Sequence, residues 1–367
     1  EHDPMVTAAR ARGARISTLA ESIVAMAHGP VVAITGTAGK SSTAHALCHL
    51  LRSAGLAVRA GHGAPSANAW PDATIADRPT HEDEVLVAEL TSTHLCHMAM
   101  PRPADVAVIT LLRPDHHDLH PSMDAYFAAK RSLLSGQGSD NAVVLPADDP
   151  ETLAVLGPCE AQAWGFGRAP AARPGAWLGP SGDVTLVDAT GSPTACGPLP
   201  QAPTQQRAVL AAAAAAMALG VPAERLAPLL AGVPAVAHRQ NVAGRFRDAV
   251  IIDDTMAATP RKALEAVEAL AGSAPVLVLG GDRDPHDDAE VDAALQRIGA
   301  LGLRVVAFGP QAGRVAGQVP VLATAPTVMG ALATAATIAG PDGTVLVSPM
   351  FTMSPAERDR VAALPEP

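Results

Sequence analysis

The sequence predicts an α/β protein whose sheets are largely parallel, and two observations predict it. Short apolar runs rich in β-branched residues recur along the chain, and segments with helical apolar spacing separate them. The first run, residues 31–35, passes through a glycine-rich turn into the helical pattern of residues 41–54. Because two parallel strands need a long connection, usually a helix, this alternation favours a parallel sheet with helices on its faces.

Each element follows from the local pattern. In the first part of the chain, the apolar runs that predict strands are residues 31–35, 85–90, 106–111 and 142–145. Helical spacing predicts helices over residues 6–28, 41–54, 123–134 and 205–219, the last of which contains an alanine tract. Residues 165–203 are rich in Gly, Pro and Ala and resemble either a loop-rich insertion or a small antiparallel edge.

The strand–helix rhythm restarts after residue 233. Strands are predicted over residues 250–252, 276–279, 305–308 and 345–347, with helices over residues 261–270 and 289–301 between them. We therefore predict two domains, residues 1–234, which include the segment 165–203, and residues 235–367.

Composition excludes several classes of function. The 367 residues carry 26 basic and 36 acidic side chains, a net charge of −10, which argues against a nucleic-acid-binding protein. No apolar run reaches the roughly 18–20 residues of a membrane span, and the first residues lack a signal-peptide pattern. The four cysteines form no CxxC pair, which favours a reducing compartment. We expect a cytoplasmic protein without membrane or nucleic-acid partners.

The glycine turn carries the strongest chemical signal. A turn between a strand and a helix can hold phosphate oxygens on its backbone N–H groups, while a lysine reaches the terminal phosphates and a hydroxyl binds Mg²⁺. Only three of the 26 basic residues are lysines and the others are arginines, which indicates that position 40 needs a lysine rather than an arginine. Ile34 stands where the general pattern has its first glycine, and an ordinary glycine turn is the alternative. The predicted nucleotide-binding residues are Gly36, Thr37, Ala38, Gly39, Lys40, Ser41 and Ser42.

Residues 35–42, Thr-Gly-Thr-Ala-Gly-Lys-Ser-Ser, resemble the phosphate loop of the Mur ligases, the ATP-dependent amide synthetases of peptidoglycan assembly. Matching stretches follow in the family's order over nearly the whole chain. They are residues 87–92, 115–120, 125–130, 147–149, 238–239, 251–255, 279–284 and 347–349. The resemblance implies a P-loop NTPase-like central domain and a smaller Rossmann-like C-terminal domain. The layout is most similar to that of the D-glutamate-adding member.

The resemblance also implies roles for individual residues. Catalytic roles fall to Lys40, Lys130, His116 and Arg239. Metal ligands would be Ser41, Glu89, His116 and Lys130, the last if CO₂ converts its amine to a carbamate. ATP and one or two Mg²⁺ ions are the implied cofactors, and Gln205, Arg239 and Asp254 would contact the nucleotide. The alternatives are a capping role for Glu89, a polar loop cluster for the histidines at 116, 117 and 120, and a surface role for Arg239.

Three departures from the family pattern bear on the substrate. About 30 residues precede the phosphate loop, so we expect the UDP-sugar-binding domain of the family to be missing. The stretches that hold D-glutamate in the most similar member read differently at residues 254–259, 283–284 and 350–353. Gln205 and Ala208 stand where relatives carry two adenine-contacting asparagines, and alanine offers no amide.

We therefore expect an ATP-dependent carboxylate–amine ligase that forms an amide through an acyl phosphate, on a donor not linked to UDP. Its partners would be a small-molecule carboxylate donor and an amine acceptor, and it would act as a monomer, with a partner protein left open. Two alternatives remain. One is a degenerate nucleotide-binding member that acts as a partner or regulator. The other is an amidating relative, which carries a four-cysteine zinc insertion that this chain's cysteines do not supply.

Overall fold

A computed structural model describes residues 4–61, 79–114, 119–168, 173–200, 203–284 and 286–364. The chain divides into two compact units. The first comprises residues 1–200 and 206–234, and the second comprises residues 201–205 and 235–367. Each unit contains its own sheet.

The first unit contains a sheet with nine strands among the described residues, in the order β2-β3-β1-β4-β5-β6-β7-β8-β9. The strands are β1 (Val31–Thr35), β2 (Ala57–Gly61), β3 (Glu84–Glu89), β4 (Val106–Ile109), β5 (Ala142–Pro146), β6 (Gln162–Gly167), β7 (Gly175–Leu178), β8 (Asp183–Val187) and β9 (Pro193–Pro198). The helices are α1 (Pro4–Ala11), α2 (Leu19–Ala25), α3 (Lys40–Ser53), α4 (Ser92–Leu95), α5 (Met123–Arg131), α6 (Pro150–Leu156), α7 (Pro203–Ala218) and α8 (Ala223–Leu226).

Helices cover both faces of this sheet. Val32 and Ile34 of β1 belong to a buried cluster with α3 and α7, whereas Val31 and Ala33 belong to a second cluster with α2 and α5. In the sheet order β2-β3-β1-β4-β5-β6-β7, each strand pairs in parallel with its neighbours, as the alternation of strands and helices predicts. Because successive side chains of a strand point to opposite faces, a strand covered on both faces is apolar throughout, and β1 is fully buried. The predicted α/β class is confirmed.

Residues 165–203, for which the sequence left two readings, supply three further strands. Strands β7, β8 and β9 form an antiparallel edge, and β7 joins the parallel part of the sheet by pairing with β6. The alanine tract lies in α7, where residues 211–216 are at most 1% exposed. A helix that is apolar on all sides is a buried helix, and small side chains let its neighbours approach closely.

The prediction of one continuous helix over residues 6–28 was wrong. The segment forms two helices, α1 and α2, because Gly13 adopts a φ of 76°, which interrupts the helical backbone. Thr18 then starts α2 as its N-cap, with its side-chain oxygen accepting a hydrogen bond from the Glu21 N–H at 3.1 Å.

The sheet of the second unit has the strand order β10-β11-β15-β12-β13-β14 among the described residues. The strands are β10 (Asn241–Phe246), β11 (Ala249–Asp253), β12 (Val276–Gly280), β13 (Arg304–Phe308), β14 (Val321–Ala325) and β15 (Thr344–Met350). The helices are α9 (Pro260–Leu270), α10 (Asp288–Ala300), α11 (Ala312–Gln318), α12 (Val328–Ala339) and α13 (Pro355–Ala362). Only the β10–β11 pairing is antiparallel within this described sheet.

This second sheet is also covered on both faces. Leu277 and Leu279 of β12 pack in a cluster with α9, α10 and α11, and Val276 and Val278 pack in another with α12 and α13. The sheet therefore has the layered α/β architecture that the sequence predicts for this part of the chain. Within the described ranges, no helix combines the length and apolar character that crossing a bilayer requires.

Candidate active site

The glycine turn lies at the carboxyl end of β1 and leads into the N-terminus of α3. Gly36 has a φ of 153°, and a Cβ at this position would lie 2.0 Å from Thr110 Oγ1, so only glycine fits. Gly39, the N-cap of α3, has a φ of 85°. The Thr110 hydroxyl donates to the Ala38 carbonyl at 2.5 Å and so fixes the turn from the neighbouring strand. The turn thus has the strand–loop–helix context that phosphate binding requires.

Lys40 lies against this turn. Its ammonium donates hydrogen bonds to the Gly36 carbonyl at 2.9 Å and to the Thr37 carbonyl at 3.2 Å. The positive charge is therefore held over the loop, beside the backbone of the residues that would hold a phosphate. This is the position in which a lysine can reach terminal phosphate oxygens.

Ser41 and Glu89 form a pair of oxygen donors beside the turn. Glu89 is the last residue of β3, the parallel neighbour of β1, and is 3% exposed. The Ser41 hydroxyl donates to Glu89 Oε1 at 2.9 Å. Mg²⁺ prefers hard oxygen ligands, and a carboxylate next to a hydroxyl supplies two of them. The residues that the structure places here therefore fit a magnesium ion.

The predicted histidine ligand cannot be placed. His116 and His117 belong to residues 115–118, which lie outside the described residues. Among the described residues, no group of three or more His, Cys, Asp or Glu side chains is arranged to hold a metal. Among the predicted metal ligands in the described residues, Ser41 and Glu89 supply paired side-chain oxygens at this end of the sheet.

Lys130 also contacts this turn. It is on α5, is 1% exposed, and donates to the Gly36 carbonyl at 2.7 Å. Lys40 and Lys130 therefore converge on one carbonyl oxygen. Burying an amine is costly unless it has partners, and Lys130 also lies 4.8 Å from the ring centroid of Tyr126. The structure thus brings a second, buried lysine to the phosphate loop.

Tyr126 connects the loop with the other motifs. Its hydroxyl lies 2.8 Å from Thr37 Oγ1, which itself donates to the Arg113 carbonyl at 3.0 Å. His120 packs edge-on against the Tyr126 ring, with centroids 5.2 Å apart, and its Nε2 lies 2.9 Å from Ser92 Oγ. His120 is thus a buried histidine with polar partners. Reasoning from the sequence missed Thr110, whose only signal is its position near the end of the predicted strand 106–111. It also missed the linking role of Tyr126, although Tyr126 lies in the matching stretch 125–130, one turn before Lys130.

The second unit contains the other predicted residues. Arg239 follows His238 just before β10, and Asp254 follows β11. The predicted contact of Gln205 with the base stays a prediction; in the structure its side-chain amide binds backbone groups. Its Oε1 accepts from the Val236 N–H at 3.0 Å, and its Nε2 donates to the Arg239 carbonyl. Gln205 therefore holds the segment that presents Arg239.

Asp254 is a buried carboxyl whose pKa is raised. Burial raises its pKa to about 7, although the Ser348 hydroxyl, which donates at 2.9 Å, and the charge of Arg239 both act to lower it. Near neutral pH, this carboxyl therefore exists in both protonation states. Such a group can accept or donate a hydrogen bond according to pH.

The shift of Asp254 predicts a pH-dependent stability. Its carboxyl binds a proton more tightly in the folded protein than in the unfolded chain, so its contribution to stability is lost as the pH rises through the pKa of about 7. Asp254→Asn removes this titration while keeping an acceptor for Ser348. The free energy of unfolding of the variant minus that of the wild type should increase by about 2 kcal/mol when the pH is raised from about 5 to about 8. Urea unfolding at both pH values measures this, and equal pH dependences would contradict the assigned pKa.

The segments that depart from the family pattern meet at one end of the second sheet. The Met350 N–H donates to the Ala257 carbonyl at 2.9 Å, and the Thr352 N–H donates to the Arg283 carbonyl at 3.1 Å. Asp282 Oδ2 accepts from the Ser354 N–H at 2.8 Å, just before α13. The changed segments therefore lie together at the carboxyl ends of β11, β12 and β15, where Met350 and Phe351 are buried.

Comparisons with known proteins agree with this geometry. Residues 34–181 match the family model of the Mur ligase middle domain. The UDP-N-acetylmuramoylalanine–D-glutamate ligase of Parasynechococcus marenigrum is 30% identical over 83% of this chain and 65% of its own length. The chain thus spans about two thirds of the length of this curated relative.

Solved structures show the same fold. MurF from Acinetobacter baumannii aligns with a TM-score of 0.70 at 19% identity, over 94% of this chain and 79% of its own. The bifunctional folylpolyglutamate synthase/dihydrofolate synthase of Yersinia pestis, solved with AMPPNP and a manganese ion, aligns with a TM-score of 0.66 at 18% identity, over 94% and 91% of the two chains. Residues 34–181, which contain the phosphate loop and Glu89, therefore belong to the Mur ligase middle-domain family, and the curated relative and the shared fold extend the similarity over most of the chain.

Proposed function

We propose that the protein is an ATP-dependent ligase that joins a carboxylate donor to an amine acceptor as an amide, through an acyl phosphate. The observation that carries the proposal is the cluster at the carboxyl end of β1. There the Lys40 ammonium, the Ser41–Glu89 pair and the buried Lys130 surround one glycine turn. Cations, hard oxygen ligands and backbone N–H groups at a helix N-terminus are the groups that phosphoryl transfer requires.

The proposed reaction has two steps. A donor carboxylate oxygen attacks the γ-phosphorus of ATP, the bond to the β-phosphate oxygen breaks, and ADP leaves. The acceptor nitrogen then attacks the carbonyl carbon of the acyl phosphate, phosphate leaves, and the nitrogen loses a proton. The chain's own residues position the substrates and neutralise charge rather than react covalently. Lys40 would bind the terminal phosphate oxygens, and Arg239 would offset the charge that develops during transfer.

Ser41, Glu89 and His116 would hold Mg²⁺, which when bound neutralises charge on the phosphate oxygens. A carbamate on Lys130, formed with CO₂, would add a negative group beside the loop; the burial of this lysine at the Gly36 carbonyl supports such a role. Asp254 would contact the nucleotide, supported by its buried place after β11.

The acceptor is proposed to differ from free D-glutamate. The curated relative is named for D-glutamate addition. In this chain, residues 256–258 and 350–353 include methionine, alanine and phenylalanine side chains; Ala257, Met350 and Phe351 are buried in the core, and Met256, Ala258 and Met353 are partly exposed. A site built from such groups favours a less acidic amine, because a carboxylate there would lose hydration without gaining paired cations.

Free thiols at all four cysteines support a reducing, cytoplasmic location. Action as a monomer stays a prediction.

The test is an ADP-release assay on the purified full chain with ATP, Mg²⁺ and pooled carboxylates and amines, in which a UDP-linked muramoyl peptide forms one pool. We expect ADP formation over many turnovers only when an acid and an amine are both present, with one amide detected by mass spectrometry per ADP. ATP binding without ADP formation in any pool, the UDP-linked pool included, would favour a non-catalytic nucleotide-binding protein.

A further inference from the structure

We infer that His238 and the buried Asp253 hold a strained turn whose function is to orient Arg239, so that both are positioning residues for phosphoryl transfer. The inference rests on the proposed function, in which Arg239 stabilises the transferring phosphoryl group. It adds two residues whose side chains would act only through Arg239.

The backbone around Arg239 is strained. His238 has a φ of 63° and Gln240 a φ of 51°, so non-glycine residues in the left-handed region stand on both sides of Arg239. Side chains with a Cβ rarely adopt this conformation, because the Cβ then crowds the following carbonyl. Strain of this kind persists only where surrounding contacts hold it, and it is concentrated at functional sites.

Side-chain contacts hold His238 in this conformation. Its Nδ1 lies 2.9 Å from Asp253 Oδ2 and 3.0 Å from Thr255 Oγ1. Asp253 is fully buried, and its other oxygen accepts from the Thr255 N–H at 2.9 Å and from the Thr255 hydroxyl at 2.7 Å. Since the Thr255 hydrogen is used by Asp253, Nδ1 must carry the donor hydrogen of His238. The imidazole is thus fixed in one tautomer and one orientation.

Further contacts fix the backbone of the turn. The His238 carbonyl accepts from the Met256 N–H at 3.1 Å, and the Arg239 N–H donates to Asn241 Oδ1 at 3.3 Å. Gln205 binds the Val236 N–H and the Arg239 carbonyl. Contacts on both sides of Arg239 therefore set the direction in which its side chain leaves the backbone. Misplacement of a catalytic group by about 1 Å can cost about 100-fold in rate, which gives a reason to retain a strained turn.

The experiment is a double-mutant cycle on the full chain, with steady-state ADP formation measured at varied ATP concentration and with the acid and amine pool from which the wild type forms an amide. Asp253→Asn keeps the shape of the side chain but removes the charge that orients His238. We expect kcat to fall about 10- to 100-fold, with little change in KM for ATP. In an Arg239→Ala background the same substitution should have no further effect, because the residue it positions is already absent.

Further variants separate positioning from folding. His238→Asn should retain more activity than His238→Ala, because asparagine tolerates the left-handed region and its amide can donate to Asp253. Asp248→Ala is the matched control: Asp248 has the same φ of 63° in the turn between β10 and β11 but no place in the site. It should lower stability to a similar extent and leave kcat unchanged.

The inference would be overturned if Asp253→Asn lowered kcat equally with and without Arg239, or if Asp253→Asn kept full activity. Either result would leave the proposed ligase function intact. Full activity of Arg239→Ala would instead remove the proposed role of Arg239, and the inference with it. Amide formation by the wild type decides separately whether the ligase function stands.

Discussion

Lys40→Ala is expected to abolish ADP formation, with a loss of at least about 100-fold in kcat. The lysine is the cation held over the phosphate loop by the Gly36 and Thr37 carbonyls. Its removal would leave the charge that develops on the transferred phosphoryl group without one of its counter-charges. Calorimetry should also show weakened ATP binding, since the same group contacts the bound phosphates in the proposed complex.

Lys262→Ala is the matched control for this prediction. The chain has only three lysines, and Lys262 lies on α9 in the second unit, whereas the phosphate loop belongs to the first unit. The control should form ADP at the wild-type rate. Wild-type turnover by Lys40→Ala would show that the loop is not the phosphate site, whatever substrates the enzyme uses.

The second large effect is expected from Glu89→Gln. The substitution replaces a buried carboxylate oxygen at the end of β3 with an amide while keeping the size of the side chain. Mg²⁺ binds a charged carboxylate more tightly than a neutral amide, so we expect a loss of about 100-fold or more at low Mg²⁺ and partial recovery at high Mg²⁺. A Mg²⁺ titration of the initial rate measures the shift in midpoint.

Glu84→Gln tests the same chemical change at the opposite end of the same strand. Glu84 forms a salt bridge with Arg59 at 3.1 Å and both side chains are largely buried, so its substitution should lower stability by about 1–3 kcal/mol and leave the Mg²⁺ midpoint unchanged. A Glu89→Gln variant whose Mg²⁺ midpoint matches that of Glu84→Gln would exclude Glu89 as a metal ligand and assign it a structural role beside Ser41.

Patterns of local origin were predictable from the sequence. Buried strands such as β1 and β12 are continuous apolar runs, and their lengths and flanking turns distinguish them from helices. Edge strands such as β10 and β14 were not predicted, because they are only partly buried and their apolar pattern is weak. The break between α1 and α2 was missed because a single glycine was weighed too lightly against helical spacing.

Much of the candidate site was also predictable, because each residue lies in a short motif tied to a strand end. Lys40, Ser41, Glu89 and Lys130 come together around one turn, as the motifs imply. Gln205 shows the limit of this reasoning. Its position in a motif predicts a base contact, which stays a prediction, but no local pattern predicted that its amide binds the backbone of Val236 and Arg239.

The sequence by itself determined the α/β class, the phosphate loop and the family, because these depend on apolar periodicity and on short runs of adjacent residues. Only the tertiary structure decided that Lys130 shares the Gly36 carbonyl with Lys40 and that Asp253 orients His238. These pairs are joined across strands and helices, and their partners are separated by many residues in the chain. Burial and close approach, which set the pKa of Asp254 and the strain beside Arg239, arise only when distant segments pack together.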